Sequence, residues 1–543
     1  MNITANRITV RTIISLLMTL LFAAGLNAQP VKLRVEAVNF PYFTGLQSFS
    51  HAFQDQYLVL IGGRLDGLHK RRPFESFDAN GNNTTIYVHD VESGETYTYP
   101  VTAMAYPLND QLQSTNMEFY QDGDRLILIG GYGYSTQQAN HTTYPYLLSI
   151  DLPCLIEKIK TDESPAECIT VIEDDRMAVT GGQLSKLADG RYYLVGGQFF
   201  DGLYNPMGPT HGPGFTQEYT DEVRRFRLHD NGSGLEIADY EAWHDELNLH
   251  RRDYNMARVL LENGEPGLVA FSGVFQHMVD LPFLNAVVID TSGYEVNNDF
   301  AQYYCQYHSA RVVLYDNARK ENHVVFLGGI SQFYNDASGN RVEDQDVPFV
   351  KTISGVTVRE NGELTEWVLK DTLPGYLGAG AEFIPNQELV NEWGMIDMEE
   401  WEPDREYLLG YMVGGIEADI PNSFFLNGDY SGASNMVFAV YGSVSTTGTY
   451  DQNMVQNPLG FDVFPNPARE YIDVNIEVPG PGTVYFYLQD TQGTIIYDWE
   501  SPAPTAGKFK TRLNLDEDIP VGTYILGMSF GYYMRFRKLS LYR

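Results

Sequence analysis

The sequence is short of positive charge, of cysteine, of long apolar runs and of any sustained helical period, and each shortage removes a class of answers. Lys and Arg number 36 against 71 Asp and Glu, for a formal net charge of −35. Holding a phosphate backbone needs a basic footprint, so nucleic acid is not an expected partner. The three cysteines do not fall at zinc-ligand spacing, and neither a nucleophile elbow nor a phosphate-cradling glycine loop is present, so no metal and no cofactor is expected. After residue 28 no apolar run reaches the roughly 20 residues that span a bilayer, so the mature chain is expected to be soluble. The missing 3.6-residue period, together with 50 Gly, 26 Pro and 37 Tyr, points to an all-β protein.

What is there begins with Arg7 and Arg11, followed by an apolar run from Ile13 to Phe22 and the small residues Ala23, Ala24, Gly25 and Ala28. Charged, apolar and cleavable regions in that order read as an export signal over residues 1–28, with a mature chain from Gln29. The chain then repeats one phrase. Tyr57–Gly63 (YLVLIGG) returns as Arg125–Gly131, Tyr192–Gly197, Leu268–Gly273, His323–Gly329 and Tyr407–Gly415. Each copy is an apolar run ending at glycine, the pattern of a strand buried on both faces. The closing glycines allow positive φ and close approach of neighbouring chain. Successive copies lie 56 to 86 residues apart, longer than the period of about 40 to 50 residues of a propeller blade, so the repeats carry insertions.

These copies resemble the kelch β-propeller family, over Val31 to Val444. Supporting phrases are Ser50-His51-Ala52 and His308-Ser309-Ala310 ahead of the motif, and Ile86–Gly94, Leu147–Asp151 and Val287–Gly293 behind it. The fourth copy departs from the pattern with Ser272, and the Trp that usually closes a blade is represented only by Trp243 and Trp367. The resemblance implies a six-bladed kelch-like propeller over residues 29–444. Val31–Val38 is expected to supply the missing outer strand of the last blade, which leaves no exposed edge. The polar connections after the glycine pairs should gather on one face, and that face is the expected binding site. Its candidate ligand-binding residues are Arg64, Tyr132, Tyr134, Phe199, Phe200, Tyr204, His211, Phe275, Phe333 and Tyr334. Aromatic faces beside polar donors suit a glycan or a protein ligand, although the same rings also serve to pack loops.

Two further constellations could carry chemistry. His250, Arg252 and Asp253 place a base, a cation and an acid within four residues, and either catalysis or structural hydrogen bonding at the start of an innermost strand accounts for them. Tyr303–His308 (YYCQYH) invites comparison with copper oxidases on kelch-type propellers, but neighbouring residues on a strand point to opposite faces and cannot converge on one metal. Export permits disulfides, and Cys154 with Cys168 brackets a polar insertion that such a bond would tie down, leaving Cys305 over. The acidity belongs almost wholly to the propeller, for solubility or for attracting cations such as calcium, though no EF-hand spacing occurs.

Residues 445–460 are polar and rich in Gly and Asn, which reads as a linker. Residues 461–543 resemble the C-terminal sorting domain of the type IX secretion system of Bacteroidetes. The matching positions include Pro465, Asn466 and Pro467 near its start, then Gly493, and Gly522 and Tyr524 near its end. The strand and turn pattern of this stretch suggests a small immunoglobulin-like β-sandwich. The resemblance implies recognition by the type IX secretion translocon and a secreted or cell-surface location, reached through periplasm and outer membrane. The combined expectation is an exported kelch-like propeller that binds a glycan or protein. Catalysis is left open behind binding: the alternatives are a carbohydrate-active enzyme, mutarotase-like or oxidase-like, and a purely structural surface protein.

Overall fold

The computed structural model describes residues 30–40, 44–232, 234–336, 338–444 and 457–542. The expected export signal, 1–28, and most of the expected linker, 445–460, lie outside them. The protein is all-β and propeller-like. Six sheets each contain a path of four antiparallel strands, and in every one a repeated glycine-ended phrase forms the second strand of the path. The first sheet is Ser50–Gln54, Tyr57–Ile61, Thr85–Asp90 and Thr96–Pro100. The innermost strands of the next five are Glu118–Asp122, Gln183–Lys186, Asn255–Leu260, Ala310–Asp316 and Tyr376–Pro385. No helix among the described residues is long and apolar enough to cross a membrane.

The continuous apolar character of the repeated strands has a direct cause: each strand feeds two cores. In Tyr57–Ile61, Val59 and Ile61 pack towards the second sheet while Leu58 and Leu60 pack towards the sixth. Likewise Leu126 and Leu128 face the first sheet, and Ile127 and Ile129 face the third. Further cores lie between sheets three and four, four and five, and five and six, so the six sheets close a cycle. Lys32–Val38 is the fourth strand of the sixth sheet and pairs antiparallel with Val437–Ser443.

The glycine pairs sit where one sheet meets the next. The second glycine donates its N–H to a carbonyl just ahead of the neighbouring innermost strand: Gly63 to Ser114, Gly131 to Val179, Gly197 to Arg251, and Gly415 to Leu46 across the closure. The first glycine leaves no room for a side chain. A Cβ on Gly130 would lie 1.9 Å from the Val179 oxygen, and one on Gly414 2.3 Å from the Leu46 oxygen, both at positive φ. Ser272 in the fourth copy adopts φ 56° and spans the same boundary with its hydroxyl, which donates to the Cys305 oxygen.

Two sequence expectations need correction. The connections after the second and third copies are not merely polar loops: Tyr132–Ser135, Asn140–Thr143, Gln198–Gly202 and Phe215–Tyr219 form a separate four-stranded sheet on the ring. The segment between Cys154 and Cys168 is not simply polar either. Leu152–Lys160 is an α-helix capped by the Asp151 side chain, and Leu152, Leu155, Ile156 and Ile159 bury one face at helical spacing in the core of the first two sheets. Cys154 and Cys168 are disulfide-bonded, and Cys305 is free and buried.

Residues 457–542 hold seven strands in a three-stranded and a four-stranded sheet around their own core. Tyr487 and Met534 pack on Leu247 and Phe283 of the ring, and Tyr532 and Tyr533 join Tyr303 and Phe333. Gln489 Nε2 donates to Asp245 Oδ1 at 2.8 Å, and the Ile495 N–H donates to Glu246 Oε2 at 2.8 Å. Gly493 is part of this contact, because a Cβ there would fall 1.8 Å from the His244 oxygen. Asn466, between Pro465 and Pro467, donates to the Lys538 oxygen and accepts from the Ser540 N–H, which pins the start of the module to its last strand. Gly522 opens the strand Gly522–Phe530, in which the Tyr524 hydroxyl donates to the Pro520 oxygen.

Candidate functional site

The segments that follow the glycine pairs converge on one end of the ring and enclose a cavity of about 420 Å³. Arg64, directly after Gly63, is 3 % exposed and fully engaged. Its Nε donates to Asp66 Oδ1 at 2.7 Å, Nη1 to Asn82 Oδ1 at 2.8 Å and Nη2 to the Asp78 oxygen at 2.9 Å. Arg252 enters beside Val274, with which its backbone pairs. Its Nε donates to the Tyr219 hydroxyl at 3.1 Å, its Nη1 donates to Asp253, and its guanidinium lies over the Phe275 ring. Each cation is therefore neutralised by a neighbouring carboxylate, Arg64 by Asp66 and Arg252 by Asp253. The Arg252–Asp253 pair puts a donor and an acceptor side by side at the cavity, which suits hydroxyl groups.

The walls are aromatic. Phe77, Tyr132, Phe200, Tyr204, Phe275, Phe349, Phe424 and Phe425 line the cavity. His69 stacks on Phe77 at 5.6 Å between ring centres and meets Tyr204 edge-on at 4.8 Å. Burial pushes its imidazole down to about 4, so it is neutral at physiological pH. The Tyr132 hydroxyl is occupied on both sides, donating to the Gly202 oxygen at 2.7 Å and accepting from the Tyr204 N–H at 2.9 Å, and contributes only its ring.

Of the residues singled out from sequence, Arg64, Tyr132, Phe200, Tyr204, Phe275, Arg252 and Asp253 line this cavity. The others are elsewhere. Tyr134 packs on His141, Phe199 lines a separate recess with Glu218 and Thr220, and His211 is exposed beside Thr210. Phe333 is buried against Tyr303 and Tyr532, and Tyr334 lines a recess with Lys351 and Tyr376. His250 stacks on Tyr219 at 3.8 Å with Nδ1 2.7 Å from Asp221, so it supports the site from behind. The Tyr303–His308 cluster lies in the irregular segment ahead of the strand Ala310–Asp316 and is divided: Tyr303 bonds Tyr533, Tyr304 bonds Asn335, and Tyr307 and His308 face the cavity. Burial pushes the Cys305 thiol up to about 12.

Sequence reasoning missed Phe77, Phe349, Phe424 and Phe425, and although it singled out Asp253 and His308 it did not bring them together in the floor of the cavity. His308 stands in that floor at φ 23°, its N–H donating to the oxygen of Asp253, itself at φ 51°. Two adjoining residues in the left-handed region mark stored backbone strain of the kind found at functional sites. Behind His308, Glu382 Oε1 lies 3.4 Å from His308 Nε2, and Glu382 Oε2 lies 3.9 Å from His51 Nε2. Burial would raise the Glu382 pKa, but the hydrogen bond to His308 and the nearby His51 and Arg311 overcome it and hold the group below the usual carboxylate range. Beneath this floor a second cavity of about 380 Å³ runs between the innermost strands, lined also by the crossing segment that includes Gln387, Trp393 and Ile396. Ile396–Asp397 is anchored by parallel pairing to Leu314–Tyr315.

No protein-family model and no curated protein matches the sequence. Among solved structures the chain is similar to YjhT, at 10 % identity and TM-score 0.41 over 77 % of this chain and 99 % of that one. It is also similar to AofleA from Arthrobotrys oligospora, at 9 % identity and TM-score 0.26 over 64 % and 90 % of the two chains. A third is a family 43 arabinoxylan arabinofuranohydrolase from Bacillus subtilis in complex with cellotetraose, at 10 % identity and TM-score 0.24 over 92 % and 95 %.

Proposed function

We propose that this chain is an exported, six-bladed kelch-like propeller joined to an immunoglobulin-like sorting module of the type IX secretion system, and that the propeller binds a glycan in the aromatic-walled cavity. The observation that carries the binding reading is the grouping of the Phe77, Tyr204, Phe275 and Phe424 rings with the neutralised Arg252–Asp253 pair in one pocket. Sugars present apolar C–H faces and a fringe of hydroxyls, so they need ring surface and bidentate polar groups together. The closed cycle of six sheets supports the blade count, and the order of the Pro465–Pro467, Gly493 and Gly522–Tyr524 phrases supports the export reading.

The test is saturation-transfer NMR of the full chain against a panel of neutral oligosaccharides and sialic acids, with ligand spectra followed over hours. Transfer to one ligand class is expected, weakened about tenfold or more in Tyr204→Ala and in Asp253→Asn. An absence of transfer from every sugar, with the variants indistinguishable from the parent, would remove the glycan reading in favour of a protein ligand or a structural role. A second reading, that of a carbohydrate-active enzyme, is favoured by the convergence of Arg252, Asp253 and His308 at the cavity floor, with Glu382 behind His308. In that case the ligand spectra would change with time.

A further inference from the structure

The cavity beneath the floor has a different chemistry from the one above it. Each innermost strand contributes: His51 from the first sheet, Glu118 from the second, Gln183 from the third, Arg258 from the fourth, Arg311 from the fifth and Glu382 from the sixth. Two guanidiniums therefore reach into the axis of a chain whose net charge is −35, and neither forms an ion pair among the described residues. Among the described residues Arg311 makes one side-chain hydrogen bond, from Nη2 to Gln183 Oε1 at 3.1 Å. Arg258 gives its Nη groups to neutral acceptors: the oxygens of Trp393 and Lys186, the Tyr120 hydroxyl and the Ser185 hydroxyl. Its Nε is buried without a partner.

The carboxyl groups around them are committed elsewhere. Glu382 is flanked by His308 and His51. Asp122 accepts from Lys186 Nζ and from the Tyr192 hydroxyl, both at 2.6 Å. Glu118 accepts the Gly182 N–H at 2.7 Å through Oε1 and leaves Oε2 buried without a partner. Burial raises its pKa well above the usual value. The cavity thus holds two guanidiniums whose hydrogen bonds among the described residues all go to neutral acceptors, in surroundings where an unpaired charge is costly.

We propose that this second cavity binds a small oxyanion, gripped by the open edge of Arg311 and assisted by Arg258. The guanidinium fork matches the paired oxygens of carboxylate, sulfate or phosphate and distinguishes them from a halide. The proposal goes beyond the glycan reading and does not depend on it, since the two cavities share only the floor residues around His308.

The test uses the full chain. Crystals soaked in selenate should show one anomalous peak beside Arg311, and calorimetric titration with sulfate at constant ionic strength, balanced with chloride, should saturate. Inorganic phosphate and acetate titrated in the same way identify which oxyanion source the cavity prefers. Arg311→Gln should weaken sulfate about tenfold or more, while Tyr204→Ala in the upper cavity should leave the titration unchanged. If Arg311→Gln does not fold, Arg311→Lys serves instead: it keeps the charge and loses the fork, and weakened binding supports the proposal while unchanged affinity overturns it. Absence of saturable heat with all three oxyanions, or selenate only at the outer surface, would also overturn it, whatever the outcome of the sugar panel.

Discussion

At the scale of single residues the ring depends on positions where a side chain cannot stand. Gly414→Ala would drive a methyl group into the Leu46 oxygen at positive φ, and a loss of about 2 kcal/mol or more is expected in urea unfolding. Gly94, also at positive φ but with open space around it, should lose only about 1 kcal/mol on the same change. Equal losses at the two sites would show that backbone conformation alone matters. Glu366 offers a pH-dependent check. It is 3 % exposed, accepts the N–H groups of Tyr303 and Tyr304, and burial lifts it from an ordinary value of 4.5 to about 8. Because the folded form keeps a proton that the unfolded chain has released, stability contributed by Glu366 is present below pH 4.5 and is lost as the pH rises towards 8. Glu366→Gln, which mimics the protonated form, should therefore gain on the parent in melting temperature across that interval, and parallel curves would reject the assignment. Residue identity along the chain revealed less of the site than of the fold. Distance from a glycine pair selected Tyr132, Phe200 and Phe275, which line the upper cavity, together with Phe199 and Phe333, which do not, because proximity in sequence does not say which way a ring points.

At the scale of elements, the repeated apolar strands were legible because burial on both faces erases the polar alternation that an outer strand keeps. The separate sheet made by the second and third insertions was not, since its strands carry polar residues and its pairing joins segments from different repeats. The helix Leu152–Lys160 hid for a different reason: nine residues give about two and a half turns, too few for a period to stand out. Its disulfide closes a short loop, with a sequence separation of 14, and replacing both cysteines by serine should cost about 3 kcal/mol, read as earlier melting of this helix by hydrogen exchange. The crossing segment Gln387–Ile396 carried no repeat signal at all, yet it helps to line the lower cavity. Lys32–Val38 was legible as an alternating strand with no blade of its own, and Leu33 at 4 % exposure anchors it. Leu33→Ala should destabilise the protein by about 2–5 kcal/mol in a single cooperative transition, whereas a small early phase that left the other sheets intact would mean that the ring does not need its closure.

At the scale of the whole molecule, the C-terminal module is seated on the ring by apolar rings and by a buried hydrogen bond from Gln489 to Asp245. A chain ending at Val444 would expose Leu247, Phe283, Tyr303 and Phe333, and it should self-associate at concentrations where the full chain stays monodisperse in light scattering. Phe283→Asp in the full chain should loosen the seat without unfolding either part, read as faster hydrogen exchange at the Ile495 N–H, whose bond to Glu246 crosses the contact. The same ring has a consequence in time. Lys32 pairs with Ser443, so the strand Lys32–Val38 is made long before its partner Val437–Ser443. Until then it is an unpaired ribbon beside every other nascent copy, and Lys32, Arg34 and Glu36, the charged residues on its exposed face, are the kind that keep a waiting strand from pairing with strangers. Completion of the ring thus waits until nearly all of its strands have been made.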